Sequence, residues 1–349
     1  MVAALGVVLD PETNTMKTFG GQQSEMVAKN VSDDSKTHMD DILSLDMSSD
    51  RKSVITGQVG RNPSVHVWDP ITMESTCTFK VKEGARGVQA VSMSPCLRYV
   101  AAVDMHNDHH VVIYNVKKNK ELLFINGSGD KIVDCAWSKK EDDLRFVTVG
   151  GKELKFWYPA DATKRLSVKG TFGPKREMTS FSTAVFDTEG ICYTAGANGN
   201  LYTWDQTGQI AKVVKGHSSD ITALAHESGK LFSGGKDNKF NIYKAEAGDL
   251  VLEKSIDFEG GYPRAIDYMN GKILMGLRNG SIYEINEATE EKKLLMASHH
   301  EGEAWGLQVV PEINSIFTVG DDNKLMQFNY EERKFVKQGK LSDHPPKNA

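Results

Sequence analysis

Several groups of residues carry side chains that could do chemistry. His217, Ser233 and Asp237 supply a base, a hydroxyl and a carboxylate, the residue types of nucleophilic hydrolysis. The string MHNDHH brings His106, Asp108, His109 and His110 together, and imidazole with carboxylate is a donor set for zinc or copper. His299–Glu303 (HHEGE) mixes the same two donor types, and FINGSGDK (Phe124–Lys131) has the glycines of a phosphate loop. That loop lacks the Gly-Lys-Ser/Thr ending and the strand-to-helix setting that phosphate binding needs. MHNDHH falls in a turn between strands, and His109 and His110 should alternate in facing once the next strand begins. It therefore reads as a solvated turn, and neither a metal nor a cofactor is expected. No GxSxG, HExxH or Cys/His nucleophile arrangement occurs.

The elements that must position these residues repeat along the chain. Trp68, Tyr114, Trp157, Trp204, Tyr243, Ile285 and Phe328 each end an apolar strand, 39 to 47 residues apart, with a Gly/Asp turn shortly before. A period of roughly 40–45 residues built from short strands is the signature of WD40 blades. Residues 216–244 show one unit clearly. Ile221, Ala223 and Ala225 alternate with Thr222 and Leu224, turn residues follow, and strands at Leu231–Ser233 and Phe240–Tyr243 flank Gly234–Asn238. Alternation broken by Gly/Asn/Asp/Ser turns is an antiparallel meander signal. The expected fold is all-β: a seven-bladed WD40 propeller with four-stranded antiparallel blades, closed by a strand from the N-terminus. Residues 1–36 would hold the closing strands (Ala3–Asp10 and Thr15–Phe19) and a polar surface loop, 37–341 the propeller, and 342–349 a linker or tail.

Such a ring changes the reading of the triad-like residues. His217, Ser233, Asp237 and Tyr243 stand where a blade carries a His–Ser/Thr–aromatic–Asp network that pins the loop before the blade to its inner turn, so they should be structural. His299, Thr318, Asp322 and Phe328 repeat the offsets, although Phe328 cannot donate. His38, Thr56 and Trp68 form a third set, with Gly60 at the acidic position. The remaining units are degraded: Thr148 and Trp157 without a His, Thr194, Asn198 and Trp204, Ala102 with His106, and Met275 with Asn279 and Ile285.

Composition narrows the partners. A formal net charge of −5 argues against nucleic acid or an anionic membrane as the main target. No run of 18 apolar residues is present, so no spanning helix is expected. Cys77, Cys96, Cys135 and Cys192 are scattered without a framework, which fits the cytosol.

With the units in register, the chain resembles the first propeller of the echinoderm microtubule-associated-protein-like family. The resemblance rests on residues 37–73 with the ITGQVG turn (Ile55–Gly60) and the Val65–Asp69 strand, and on YVAAVDMHNDHHVVIYN (Tyr99–Asn115). VTVGGKELKFWYP (Val147–Pro159), KGTFGPK (Lys169–Lys175) and HHEGEAWGLQVVP (His299–Pro311) extend it in the family's order. It implies a non-enzymatic scaffold of the cytoskeleton, associating with tubulin, microtubules or axonemal proteins, in the cytoplasm or a cilium. It also implies that the parent chain continues into a second propeller. The family's basic coiled-coil region has no counterpart here.

The expected docking face is the top of the ring, where His106, Asn107, Asp108, Lys152, Asn198, Lys236, Arg278 and Asp321 should lie. Basic residues at Lys117–Lys120, Lys164–Arg165 and Lys175–Arg176 could meet an acidic polymer through screened electrostatics. The rival function is a general cytosolic adaptor recognising a peptide unrelated to microtubules. An enzyme would need carboxylates or metal ligands converging from several blades, and no such set stands out.

Overall fold

The alternation in the sequence becomes a chain of hairpins. The computed structural model describes residues 4–20, 37–60, 62–151, 153–159, 166–173, 179–258, 261–299, 303–332 and 334–341. Among them are seven four-stranded antiparallel sheets, spanning residues 42–80, 88–125, 132–169, 181–215, 221–257, 263–296 and 304–340, each an up-and-down meander. They are here called the first to seventh sheet. The inner strands are β3 (Ile42–Met47), β7 (Val88–Met93), β11 (Ile132–Trp137), β15 (Phe181–Phe186), β19 (Ile221–Glu227), β23 (Pro263–Met269) and β27 (Ala304–Val310). No described helix is long and apolar enough to cross a membrane.

Every inner strand carries a β-bulge at the same place, after its first residue: Ile42/Ser44, Val88/Ala90, Ile132/Asp134, Phe181/Thr183, Ile221/Ala223, Pro263/Ala265 and Ala304/Gly306. A bulge adds twist and re-aims side chains. Two of the residues it frees, Ser182 and Thr222, donate to the Ile221 and Pro263 carbonyls of the next sheet. Further along, the Asp46 carboxylate accepts the Met93 N–H (2.8 Å), and Asp134 accepts from the Thr183 hydroxyl (2.7 Å) and the Ala184 N–H (3.1 Å). Neighbouring inner strands are thus stitched by side chains, because their own backbone bonds lie within each sheet.

Apolar cores fill the spaces between successive sheets from the first to the sixth. Val65, Val67 and Phe79 meet Val88, Val100 and Tyr114 between the first two, and Phe232 and Ile242 meet Tyr268, Ile273 and Met275 between the fifth and sixth. The pairs β3/β7, β7/β11, β11/β15, β15/β19 and β19/β23 all pack directly, whereas β27 makes no comparable packing against β23 or β3. Trp305 and Leu307 on β27 are accordingly about 70 % exposed (70 % and 69 %). The first and sixth sheets are joined instead by Arg51, whose guanidinium forks onto Asp267 (2.7 and 3.1 Å) and donates to the Tyr268 carbonyl (3.2 Å).

The N-terminal strand does not complete the last sheet. β1 (Gly6–Asp10) and β2 (Thr15–Phe19) pair only with each other and lie on the first sheet, where Phe19 stacks on Trp68 at 4.6 Å. The seventh sheet takes all four strands from residues 304–340, ending with β30 (Phe335–Lys340), so no place in it is left for an N-terminal strand. Residues 21–36, which make up most of the expected polar loop, and the expected tail at 342–349 lie outside the described residues.

Candidate functional site

The triad-like residues come together in the fifth sheet. The Asp237 carboxylate accepts from His217 Nδ1 (2.9 Å) and from the Ser218 N–H (2.9 Å). A carboxylate only accepts, so Nδ1 carries the proton and Nε2 accepts from the Ser233 hydroxyl (2.7 Å). Tyr243 receives Asn241 Nδ2 (3.1 Å) and its hydroxyl reaches the Gly216 carbonyl (3.4 Å). Burial holds His217 below its ordinary pKa against the pull of Asp237, so the ring stays neutral near pH 7. Burial raises Asp237, but the bonds from His217 and Ser218 outweigh it and keep the carboxylate ionised. The connectivity is that of a catalytic triad. Ser233, however, is wholly buried and offers no surface to a substrate.

Two other units build related networks. His299 Nδ1 donates to Asp322 (2.8 Å) and Nε2 accepts from Thr318 (2.9 Å), while Phe328 contributes only a ring, edge-on to Phe335. His38 Nε2 accepts from Thr56 (2.5 Å), and the same hydroxyl accepts Trp68 Nε1–H (3.1 Å). The acidic position of that first unit is not Gly60. Gln58 takes the role: its Oε1 accepts from His38 Nδ1 (2.8 Å) and the Met39 N–H (3.2 Å). Gly60 has φ +109° and lies against Asp40, so it serves the turn. Gln58 stands inside ITGQVG as the last residue of the second strand of the first sheet (Val54–Gln58), and a neutral acceptor there is not announced by residue type. Trp157 and Trp204 keep the indole-to-threonine bond, to Thr148 and Thr194 (both 2.9 Å).

The residues expected on the top face have divergent fates. Asn198 is committed to its own turn through Tyr202 (2.8 Å), and Asp321 accepts from Trp305 Nε1 (2.6 Å) and the Glu303 N–H (2.8 Å). Lys236 is paired with Asp220 (2.6 Å). Asn107 accepts from Arg86 (3.3 Å). Lys152, Lys164–Arg165 and Lys175–Arg176 lie outside the described residues. Arg278 lines a cavity of about 510 Å³ with Arg264, Leu277, Gly280, Ser298 and His299. Neither Arg264 nor Arg278 has a carboxylate partner among the described residues, so the sixth sheet presents two exposed guanidinium groups beside one opening. Sequence reading missed Arg264 because it stands alone in PRAIDYM, and only the fold brings it to Arg278.

His106, Asp108 and His110 converge on the turn between β8 (Tyr99–Asp104) and β9 (Val111–Asn115), where one donor atom from each lies within 4.8 Å of the others. The organiser is Asp104, which sequence reading did not single out. It is buried and accepts the His106 N–H (3.0 Å), the His110 N–H (2.8 Å) and His110 Nδ1 (2.8 Å).

Comparison with known proteins places this geometry. The model of the "Echinoderm microtubule-associated protein first beta-propeller" matches residues 36–267. The ciliary WD repeat-containing protein ctxp80 of Euplotoides octocarinatus is 38 % identical over 333 residues, covering 95 % of this chain and 46 % of the relative. The 77 kDa echinoderm microtubule-associated protein of Strongylocentrotus purpuratus is 26 % identical over 309 residues, covering 85 % of this chain and 44 % of the relative. The chain therefore spans a little under half the length of these relatives. Among solved structures, the Cps50 (Swd1) β-propeller domain of Myceliophteria thermophila superposes with a TM-score of 0.63 at 14 % identity, covering 80 % of this chain and 93 % of that one, which supports the propeller fold. With two thirds of its length matched by that family model, in the order of sheets described above, the chain belongs to the echinoderm microtubule-associated protein family.

Proposed function

We propose that this chain is a non-enzymatic docking scaffold that associates with microtubules or tubulin, in a ciliary or axonemal setting. The observation that carries the reading is the family membership, together with relatives named as a ciliary WD repeat protein and a microtubule-associated protein. The chemistry of the chain is consistent with a scaffold. Its His217–Ser233–Asp237 connectivity is sealed inside a blade, and Arg264 and Arg278, which have no carboxylate partner among the described residues, sit at an open surface. An acidic polymer surface suits Arg264 and Arg278, whose planar guanidinium groups take carboxylates in a bidentate fork. Exposed charges of this kind act through a field that salt screens, with a Debye length falling from about 14 Å near 0.05 M to about 6 Å near 0.3 M. Co-sedimentation with stabilised microtubules at those two salt concentrations tests the proposal. Pelleting at low salt that declines at high salt is expected. Failure of the chain to pellet at low salt overturns the microtubule reading in favour of a general adaptor.

A further inference from the structure

We propose that the β8–β9 turn is a binding site for a borderline divalent transition ion, with zinc the ion it fits best, held by His106, Asp108 and His110. Three features of the turn build the site. First, the donor atoms already lie within 4.8 Å of one another. Ligands of a tetrahedral zinc ion with bonds of about 2.0–2.1 Å stand about 3.4 Å apart, so the side chains need to close by little more than an ångström. His106 Nδ1, which accepts the Asp108 N–H (3.2 Å) and would exchange that bond for the ion, lies 3.7 Å from an Asp108 carboxylate oxygen.

Second, His110 is oriented in advance. Its Nδ1 proton is held by the buried Asp104 carboxylate at 2.8 Å, which leaves Nε2 unprotonated with its lone pair free. A carboxylate behind a ligating imidazole fixes the tautomer and the ring direction and raises the basicity of the donor nitrogen. Asp104 also binds the N–H groups of His106 and His110, so the residue that sets the tautomer sets the turn. Third, the donors are reachable. The His106 side chain is 33 % exposed and that of Asp108 is 55 %; the two imidazole rings, now stacked at 4.4 Å, must splay for their in-plane lone pairs to meet at one ion. The neighbouring connection passes His106 with a glycine: a Cβ on Gly84 would sit 3.7 Å from Cδ2 and 3.9 Å from Nε2 of that ring.

Two imidazoles and one carboxylate select against calcium and magnesium, which take oxygen-rich shells. They suit zinc, with copper(II) and nickel(II) expected to bind as competitors by the Irving–Williams order. Three protein ligands leave a fourth position for water or for a donor on a docking partner. His109 and His110 diverge, as alternation implies, and the pairing that matters for the site is His106 with His110, across the loop. His109 faces elsewhere, with Nδ1 on the Ser128 carbonyl (3.2 Å).

The test is titration of the full, tag-free chain with zinc chloride against a chromophoric chelator, with cobalt(II) chloride as a spectroscopic probe. One ion per chain is expected, with visible cobalt absorption bands of a low-symmetry site. His106→Ala and Asp108→Asn should each weaken binding at least ~10-fold, and Asp104→Asn, which removes no ligand, by roughly 10- to 100-fold. His109→Ala should leave it unchanged. Circular dichroism and urea midpoints confirm that each variant is folded, and Asp108→Asn, at an exposed position, remains informative where a His110 change unfolds the turn. Absence of stoichiometric zinc binding overturns the proposal. So does a loss in His109→Ala equal to that in His106→Ala, which would mark non-specific uptake by surface histidines.

Discussion

Replacing His217 by alanine would leave the Asp237 carboxylate and the Ser233 hydroxyl facing each other without the ring that joins them. Buried groups stripped of a partner cost their desolvation, so the variant should lose about 2–4 kcal/mol in urea unfolding. Trp68→Phe should cost about 2–3 kcal/mol, since the bond to Thr56 is lost and the smaller ring leaves a cavity beside Phe19 and Gly6. Acid should act through the same kind of residue. Burial lowers His38 to about 4 and His66, with some repulsion from His38, to about 3. Between the unfolded value near 6.5 and these folded values the unfolded chain binds more protons, so stability falls as pH drops through that window. Asp134 works in the opposite sense. Burial raises it to about 6, so the folded chain takes up a proton first and regains some stability between roughly pH 6 and 4. The two histidine shifts outweigh Asp134 and Asp46, whose carboxyl burial also raises. Urea midpoints should drop from pH 7 to about pH 4.5, and the drop should shrink in His66→Gln; a midpoint that is flat or rises on acidification contradicts this ordering.

At the scale of the elements, much was legible because a blade is local. Each strand is short, its partner is the next in sequence, and alternation with turn residues suffices to find it; Ile221–Glu227 and its hairpin show this well. The His–hydroxyl–Asp sets at His217 and His299 were legible for the same reason, since fixed offsets within one meander fix their distances. Features that depend on a neighbouring sheet were not. The shared bulge of the inner strands, the Asp46 and Asp134 stitches and the pairing of Arg264 with Arg278 arise only when sheets are placed side by side. Gln58 escaped notice because an amide in a strand looks like any polar residue until it meets His38. Gly57 gives the element-scale prediction: a Cβ there would come within 2.6 Å of Ser44 Oγ and of Val88, at the seam of the first two sheets. Gly57→Ala should therefore destabilise by about 1–3 kcal/mol through overpacking, whereas Gly229→Ala, with open space but φ +73°, should cost less. Equal urea midpoints for Gly57→Ala and the parent would contradict the seam.

The whole molecule is a succession of sheets that buries the His217–Ser233–Asp237 network and leaves Arg264, Arg278 and the His106–Asp108 turn at the surface. Five junctions between inner strands are packed, and the first and sixth sheets are bridged by Arg51 and Asp267. Under the proposed scaffold function the question at this scale is which surface meets a partner, and the Arg264–Arg278 opening offers two exposed guanidinium groups. The most direct measurement is microtubule pelleting of the folded chain at low salt, wild type beside Arg264→Glu/Arg278→Glu, with matched urea midpoints for the two proteins. The account predicts that the wild type pellets and that the double reversal loses at least ~10-fold in apparent affinity. Pelleting of the reversed protein at the wild-type level, or no pelleting by either, would contradict it.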